Sequence, residues 1–306
     1  IGCVEAQREI GVDEVVRRAR LALSAAKKDP NSSFALFTPA LPKASEDRFD
    51  QIELARTALK SGWIMPVYQP KMDLRNGAIA GAEALLRIDH PRLGIQGPSM
   101  IWAALDAPRI GKTINDKMIA LVLSDLSQWT PWPKEFGSVS INLSTDILTQ
   151  PGLSRSLLKK LERSGISTHQ LTVEITERVL VDQLSSKSLQ ALRDLRRHGV
   201  RVSLDDFGTG FASLTHLQQL PVSEIKIDQT FVRDLKREGP NAAIVKSMIG
   251  LGLNMGIDVV AEGVETAEQA ELLREWGCRY AQGYFYHRPM PAKDFARLCG
   301  FRLTTV

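Results

Sequence analysis

The sequence predicts an α/β fold organised as a (β/α)8 barrel, with a short helix-strand appendage ahead of it. Three observations carry this. From Trp63 onward, short apolar runs alternate with longer stretches of helical periodicity. Eight such strands with interleaved helices, over roughly 250 residues, have the dimensions of that barrel; an open doubly wound sheet is the runner-up. Polar residues recur near the ends of successive strands, where a barrel gathers its active site.

The elements follow in order. Residues 12–28 read as an amphipathic helix, with Val12, Val15, Val16, Ala19, Leu23 and Ala26 on one face. Pro30 to Ser32 end it, and Phe34 to Phe37 reads as a short strand. One helix and one strand are too little for an independent core. Pro39 to Glu46 reads as a linker, and Phe49 to Leu59 as a helix stopped by Gly62. The domain boundaries expected are 1–40 for the appendage and 47–306 for the barrel. Predicted strands are Ile64–Gln69, Ala80–Leu86, Val139–Leu143, Leu171–Ile175, Arg201–Asp205, Ser223–Ile227, Ile257–Ala261 and Tyr280–Tyr284. Predicted helices are Asn115–Ser127, Leu153–Ser164, Ser186–His198, Asn241–Met255 and Thr266–Trp276.

Composition narrows the class. The 306 residues are 43% hydrophobic and 24% charged, as in ordinary globular domains. No apolar run approaches a membrane span, and the first residues carry no signal peptide, so no membrane contact by this fragment is expected. Ile1 is not a start methionine, so the chain reads as a piece of something longer. The net charge of +4 suits an anionic ligand but is too mild and scattered for a nucleic-acid polymer. Three cysteines without metal-type spacing point to a reducing, cytoplasmic setting, including the cytoplasmic part of a membrane-anchored protein.

The chemistry centres on Arg201 to Phe211, where adjacent carboxylates, Asp205 and Asp206, meet Gly208 and Gly210. Two neighbouring anions repel, and a divalent cation, or a pair, neutralises them; the plainer reading is a solvated turn. The other strands shift that balance. Glu83 lies near the end of the second, Asn142 nearly ends the third and Glu174 the fourth. Lys226 is on the sixth, Glu262 follows the seventh and Gln282 lies in the eighth. Glu83, Glu174, the Asp205/Asp206 pair and Glu262, with Asn142, form an oxygen-rich cage suited to Mg²⁺ or Mn²⁺, and no His or Cys cluster suggests zinc.

These residues carry a resemblance. Glu83-Ala84-Leu85, continuing to Arg87, resembles the defining motif of EAL-domain phosphodiesterases, which cleave cyclic di-GMP. Tyr68-Gln69-Pro70, Asn142-Leu143-Ser144, Glu174 to Glu177, Asp205 to Gly210, Lys226-Ile227-Asp228, Glu262 to Glu265 and Gln282-Gly283-Tyr284 follow in family order. The resemblance spans roughly residues 48–298. It implies a modified TIM barrel whose first strand runs antiparallel, and metal-dependent hydrolysis of cyclic di-GMP to linear pGpG. It implies one cation held by Glu83, Asn142, Glu174 and Asp205. A second would be held by Asp206 with Asp205 as bridge, helped by Glu262 or Glu265. Lys226 would orient water or stabilise phosphate charge, against a plain charge-balancing role; Glu262 would be a general base or a ligand. Arg87 would clamp a phosphate, against a surface ion pair; Gln69, Gln282 and Asp228 are placed with the substrate-binding residues, the glutamines bonding ligand or metal-bound water against a purely structural role. The glutamate matching Glu177 anchors the loop after the fifth strand in the family, with Thr209 and Ser213 as partners here. A homodimer is implied. Residues 12–27 resemble the closing helix of GGDEF-type domains, which implies upstream GGDEF-like and sensory domains.

Two departures stand out. Ile88 replaces the usual aromatic, and Gly94 to Lys112 differs from the family wording, which bears on affinity and regulation. A catalytically silent cyclic di-GMP receptor is the alternative, and a barrel acting on another phosphate ester is a third reading.

Overall fold

The computed structural model describes residues 2–4, 15–16, 18–19, 22, 34–37, 40–177, 186–210 and 214–303. The chain divides into two compact units, Ile1–Trp63 with Gln96–Gly111, and Ile64–Ile95 with Lys112–Val306.

In the first unit, β1 (Gly2–Cys3) pairs in parallel with β2 (Ala35–Leu36). Of the predicted helix 12–28, the described residues Val15, Val16, Arg18, Ala19 and Ala22 are helical; the others lie outside the described residues. Helix α1 runs Ala40–Ser61. The segment 39–46, expected as an irregular linker, is therefore helical from residue 40. Its proline at 42 sits in the first turn, where a helix leaves N–H groups unpaired anyway, so the missing donor breaks nothing. Gly62, at φ 73°, ends the helix in a left-handed conformation that favours glycine. Gln51 on α1 accepts a 2.8 Å hydrogen bond from the Ala103 N–H, which fixes the turn Trp102–Leu105.

The second unit is a closed barrel. Its eight strands are β3 (Ile64–Asp73), β4 (Ile79–His90), β7 (Ser138–Asn142), β8 (Leu171–Thr176), β9 (Arg201–Phe207), β10 (Glu224–Ile227), β11 (Asp258–Ala261) and β12 (Tyr280–Ala281). They pair in that order, and β12 closes onto β3. All contacts from β4 to β12 are parallel, while β3 is antiparallel to both neighbours. The cause is local: β3 and β4 are joined by a short turn, with Asn76 and Gly77 donating N–H to Asp73 O. A turn that short serves only an antiparallel pair. Asn76-Gly77 is itself a strong hairpin signal, and Gly77 takes φ 70°. Short strands β5 (Gly94–Gln96), β6 (Trp129–Thr130), β13 (Met290–Pro291) and β14 (Arg302–Leu303) flank the barrel.

Five helices follow the predicted pattern: α2 (Pro108–Gln128), α3 (Leu153–Arg163), α4 (Ser186–Arg197), α5 (Pro240–Met255) and α6 (Ala267–Glu275). Period-2 alternation explains the layers. Val173, Ile175, Val202, Leu204, Ile225 and Ile227 point outward and join Leu157, Leu161, Leu192 and Leu195 in one core. The intervening residues point inward and are polar: Thr172, Glu174, Ser203, Asp205, Glu224 and Lys226 are all buried. Barrel interiors are ordinarily filled by branched apolar residues; this one holds a charged column. The expected last strand, Tyr280–Tyr284, stops at Ala281. A Cβ on Gly283 would lie 2.0 Å from Val264 O, so the chain there packs on another backbone instead of continuing the ladder.

Candidate active site

Lys226 is the hub. Its Nζ lies 3.1 Å from Glu83 Oε2, 3.2 Å from Glu174 Oε2, 3.1 Å from Asp205 Oδ1 and 2.7 Å from Glu262 Oε1. The side chain is 2% exposed. These contacts arise because Lys226, Glu174 and Asp205 occupy inward positions of neighbouring parallel strands, with Glu83 on the facing β4. Glu83 is mid-strand rather than near the end, since β4 continues to His90 as a hairpin arm with β3.

Burial opposes the charge on Lys226, yet Glu174, Glu262, Glu83 and Asp205 outweigh it and hold the ammonium well above the ordinary lysine range. Burial also pushes up Glu174, helped by Glu83, and pushes Glu262 to about 8. For Glu83, burial is outweighed by Lys226, Gln282 and Asn142, and the carboxyl is held low. Four carboxylates facing one ammonium carry excess negative charge when ionised, which disfavours full ionisation and favours a further cation.

Asp205 and Asp206 both belong to β9, where adjacent residues should face opposite ways. Asp206 adopts φ 55°, a left-handed conformation rare for non-glycine residues but tolerated by Asp. That kink turns both carboxylates to one site. Burial and the charges of Asp205 and Asp228 push Asp206 to about 6. Two oxygen clusters result, Glu83/Glu174/Asp205 and Asp205/Asp206/Glu262, each with its ligand atoms within 4.8 Å of one another. Asp205 is common to both. The donors are all oxygen, the chemistry that hard divalent cations select, so the residues fit such ions. Glu265 lines the neighbouring cavity but belongs to neither cluster.

Asn142 donates from Nδ2 to Glu83 Oε1 at 3.1 Å and to Glu174 Oε2 at 3.4 Å. Rotating the amide by about 180° presents its oxygen to the same place. Gln282, just past β12, donates to Glu83 Oε2 at 2.9 Å and to Gln69 Oε1 at 3.0 Å. Gln69 in turn donates to His287 O at 3.3 Å. Gln282 thus supports Glu83 directly and Gln69 supports Gln282, and both glutamines also line the cavity in front of the cluster. Asp228 caps the turn Gln229–Val232 through the Thr230 N–H. Arg87 is half-buried, with its pKa lowered by burial, and donates to Leu86 O at 2.7 Å.

Glu177 sits at the end of β8, 1% exposed. It accepts hydrogen bonds from the N–H of Gly208 at 3.0 Å and of Gly210 at 3.2 Å, and from Thr209 Oγ1 at 3.4 Å. Its own N–H donates to Asp205 O at 3.2 Å. One carboxylate therefore ties the Gly208–Gly210 loop to the Asp205 backbone. The other expected loop partner, Ser213, lies outside the described residues.

A cavity of about 400 Å³ opens on the cluster, walled by Gln69, Glu83, Asp205, Lys226, Glu262 and Glu265. Gln229, Arg233 and Tyr284 complete the wall and were not singled out in the sequence. Gln229 and Arg233 follow Asp228 by one and five residues, spacing that places polar groups on the next helical turn. Tyr284 was quoted only within a motif; its ring stacks under the Arg288 guanidinium at 4.3 Å, a contact between residues four apart in the chain.

The comparisons agree with this geometry. The EAL-domain family model matches residues 53–289. The chain is 34% identical over 284 residues to the oxygen sensor protein DosP of Escherichia coli, covering 92% of this chain and 35% of that protein. It is 32% identical over 281 residues to the bifunctional diguanylate cyclase/cyclic di-GMP phosphodiesterase MucR of Pseudomonas aeruginosa, covering 92% of this chain and 41% of that protein. Among solved structures, the PaMucR phosphodiesterase in complex with c-di-GMP matches with TM-score 0.75 and 34% identity, over 80% of this chain and 99% of that one. The chain thus spans less than half the length of these curated relatives. Among the described residues no helix is long and apolar enough to cross a membrane. With its motif residues gathered at one barrel face and the match running through the barrel, this chain belongs to the EAL-domain family.

Proposed function

We propose that this chain hydrolyses one phosphodiester bond of cyclic di-GMP, releasing linear pGpG, with two divalent cations, Mg²⁺ or Mn²⁺, as cofactors. The observation that carries it is the pair of oxygen clusters joined through Asp205 beside the Lys226 ammonium. Glu83, Asn142, Glu174 and Asp205 would hold one cation; Asp205 and Asp206, helped by Glu262 or Glu265, would hold the other. Cations bound there offset the phosphodiester's negative charge and make water acidic enough to react near neutral pH. The chain's own residues do the rest. Lys226 keeps its proton and, freed from some of its carboxylates, stabilises charge developing on the phosphate. The half-buried Glu262 would be either a ligand of the second cation or the group that accepts a proton from attacking water, one role excluding the other. Gln69 and Gln282 keep Glu83 in one rotamer. Arg233 and Tyr284 line the space where the rest of the dinucleotide lies. A GGDEF-like module and a sensory domain upstream, and a homodimer, belong to the same proposal, supported by relatives more than twice as long.

Product analysis tests it: the chain is incubated with cyclic di-GMP plus Mg²⁺, Mn²⁺ or chelator. Metal-dependent appearance of pGpG is expected. Tight binding of cyclic di-GMP without product in either metal would instead establish a receptor.

A further inference from the structure

A second cavity, of about 610 Å³, opens at the opposite end of the barrel. Its position follows from register. Arg201, Glu224 and Tyr280 begin β9, β10 and β12, and Lys71, near the end of the antiparallel β3, pairs with Gly81 near the start of β4. Arg196 and Arg197 close α4, where the chain re-enters the sheet. Lys71, Arg196, Arg197, Arg201, Glu224 and Tyr280 line the cavity. None belongs to the catalytic face.

The cavity has a buried floor and an exposed rim. On the floor, Glu224 is 0% exposed. Its Oε2 takes a 2.7 Å ion pair from Lys71 and a longer one, 3.8 Å, from Arg201. Its Oε1 is buried without a hydrogen-bond partner. A buried acceptor left unpaired costs about 1–3 kcal/mol, so a donor is wanted there. On the rim, Arg196 is exposed and has no ion-pair partner among the described residues, and Arg197 reaches Asp194 only at 3.5 Å. Lys71, Arg196, Arg197 and Arg201 line the cavity with Glu224, and Arg201 is itself held by Asp258 at 2.6 Å. Residues at this end of a barrel ordinarily serve stability, but exposed rim guanidiniums contribute little to that, and forked donors match phosphate.

From this arrangement we propose that the basal cavity is a binding site for a purine nucleoside monophosphate, its phosphate held by Arg196 and Arg197 and an N–H of its base donated to Glu224. The volume lies in the range of small-ligand sites. The site is separate from the proposed phosphodiesterase centre and does not depend on that reading.

The test is calorimetric titration of the full chain with guanosine monophosphate, adenosine monophosphate and inorganic phosphate. Chelator and saturating cyclic di-GMP are present to occupy the catalytic face. Saturable binding of one nucleotide per chain is expected, at least tenfold tighter than inorganic phosphate. The double variant Arg196→Ala/Arg197→Ala, altered only at exposed positions, should weaken it at least tenfold and leave cyclic di-GMP turnover unchanged. Absence of saturable binding, unchanged affinity in the double variant, or equal affinity for phosphate and nucleotide would each overturn the proposal. Because the variant's arginines lie at the barrel's other end, loss of turnover chemistry and loss of this site are read separately.

Discussion

A single lysine sets the electrostatics of the site. Lys226 faces four carboxylates within 3.2 Å. Removing one partner of a buried ionic cluster leaves the others uncompensated, at a cost of about 3–5 kcal/mol. Lys226→Met should therefore unfold at markedly lower urea in chelator, and added Mg²⁺ should restore more stability to the variant than to the parent. Equal metal effects on both proteins would contradict this electrostatic account. Glu177 acts differently. Its side chain holds three groups of the Gly208–Gly210 loop. Glu177→Ala should lower metal affinity and metal-dependent turnover at least tenfold while costing about 1–3 kcal/mol of stability. Titration with Mn²⁺ checks the first, thermal unfolding the second.

At the scale of elements, the barrel closes through its shortest strand. Tyr280 and Ala281 pair with Asp73 and Met72, and the chain then leaves the ladder at Gln282. Gly283 backs onto Val264 so closely that an added Cβ would lie 2.0 to 2.6 Å from three backbone atoms, none of which can swing aside. Gly283→Ala should cost about 3 kcal/mol and displace Gln282 from Glu83. Urea denaturation reads the cost, and a fall in turnover larger than that of Gln69→Ala reads the displacement. The hairpin β3–β4 is the other decisive element. It delivers Gln69, Lys71 and Glu83 to the interior from strands running in opposite directions, so one hairpin serves both ends of the barrel.

Across the whole molecule, the interior column has a charge pattern with a pH signature. At the basal end, burial pushes Glu224 up, but Lys71 and Arg201 outweigh it and hold the carboxyl low. Asp73 is lowered first by its hydrogen bond to Arg75. A carboxyl whose folded pKa lies below its unfolded value contributes stability above the unfolded value, and that stability is lost as pH falls through the folded one. The barrel should therefore lose stability on acidification below roughly pH 4.5. Glu224→Gln should be less stable at pH 7 and show a shallower acid loss, measured by urea midpoints from pH 7 to 3. Parallel curves for parent and variant would refute the assignment to Glu224.

Local patterning determined much of this. Alternation and helical periodicity record which face of an element is buried, so seven of the eight barrel strands lie within a few residues of where the sequence puts them. The motif residues Glu83, Asn142, Glu174, Asp205, Lys226 and Glu262 were legible for the same reason: polar residues interrupt apolar strands at inward positions. The antiparallel first strand was also written locally, in Asn76-Gly77. What the linear chain did not decide is distance. Glu83 and Lys226 are 143 residues apart, and Gln69 and Gln282 are 213 apart. Their contacts exist only because β12 closes on β3 and sets every register around the ring. The same closure linked Gln69 to Gln282 and Gln282 to Glu83, and shortened the last strand against Val264. It also gathered Glu224, Lys71 and two α4 arginines into a basal cavity that no stretch of sequence announces. Periodicity reports what one element buries; which buried groups meet is decided by the packing of elements far apart in the chain.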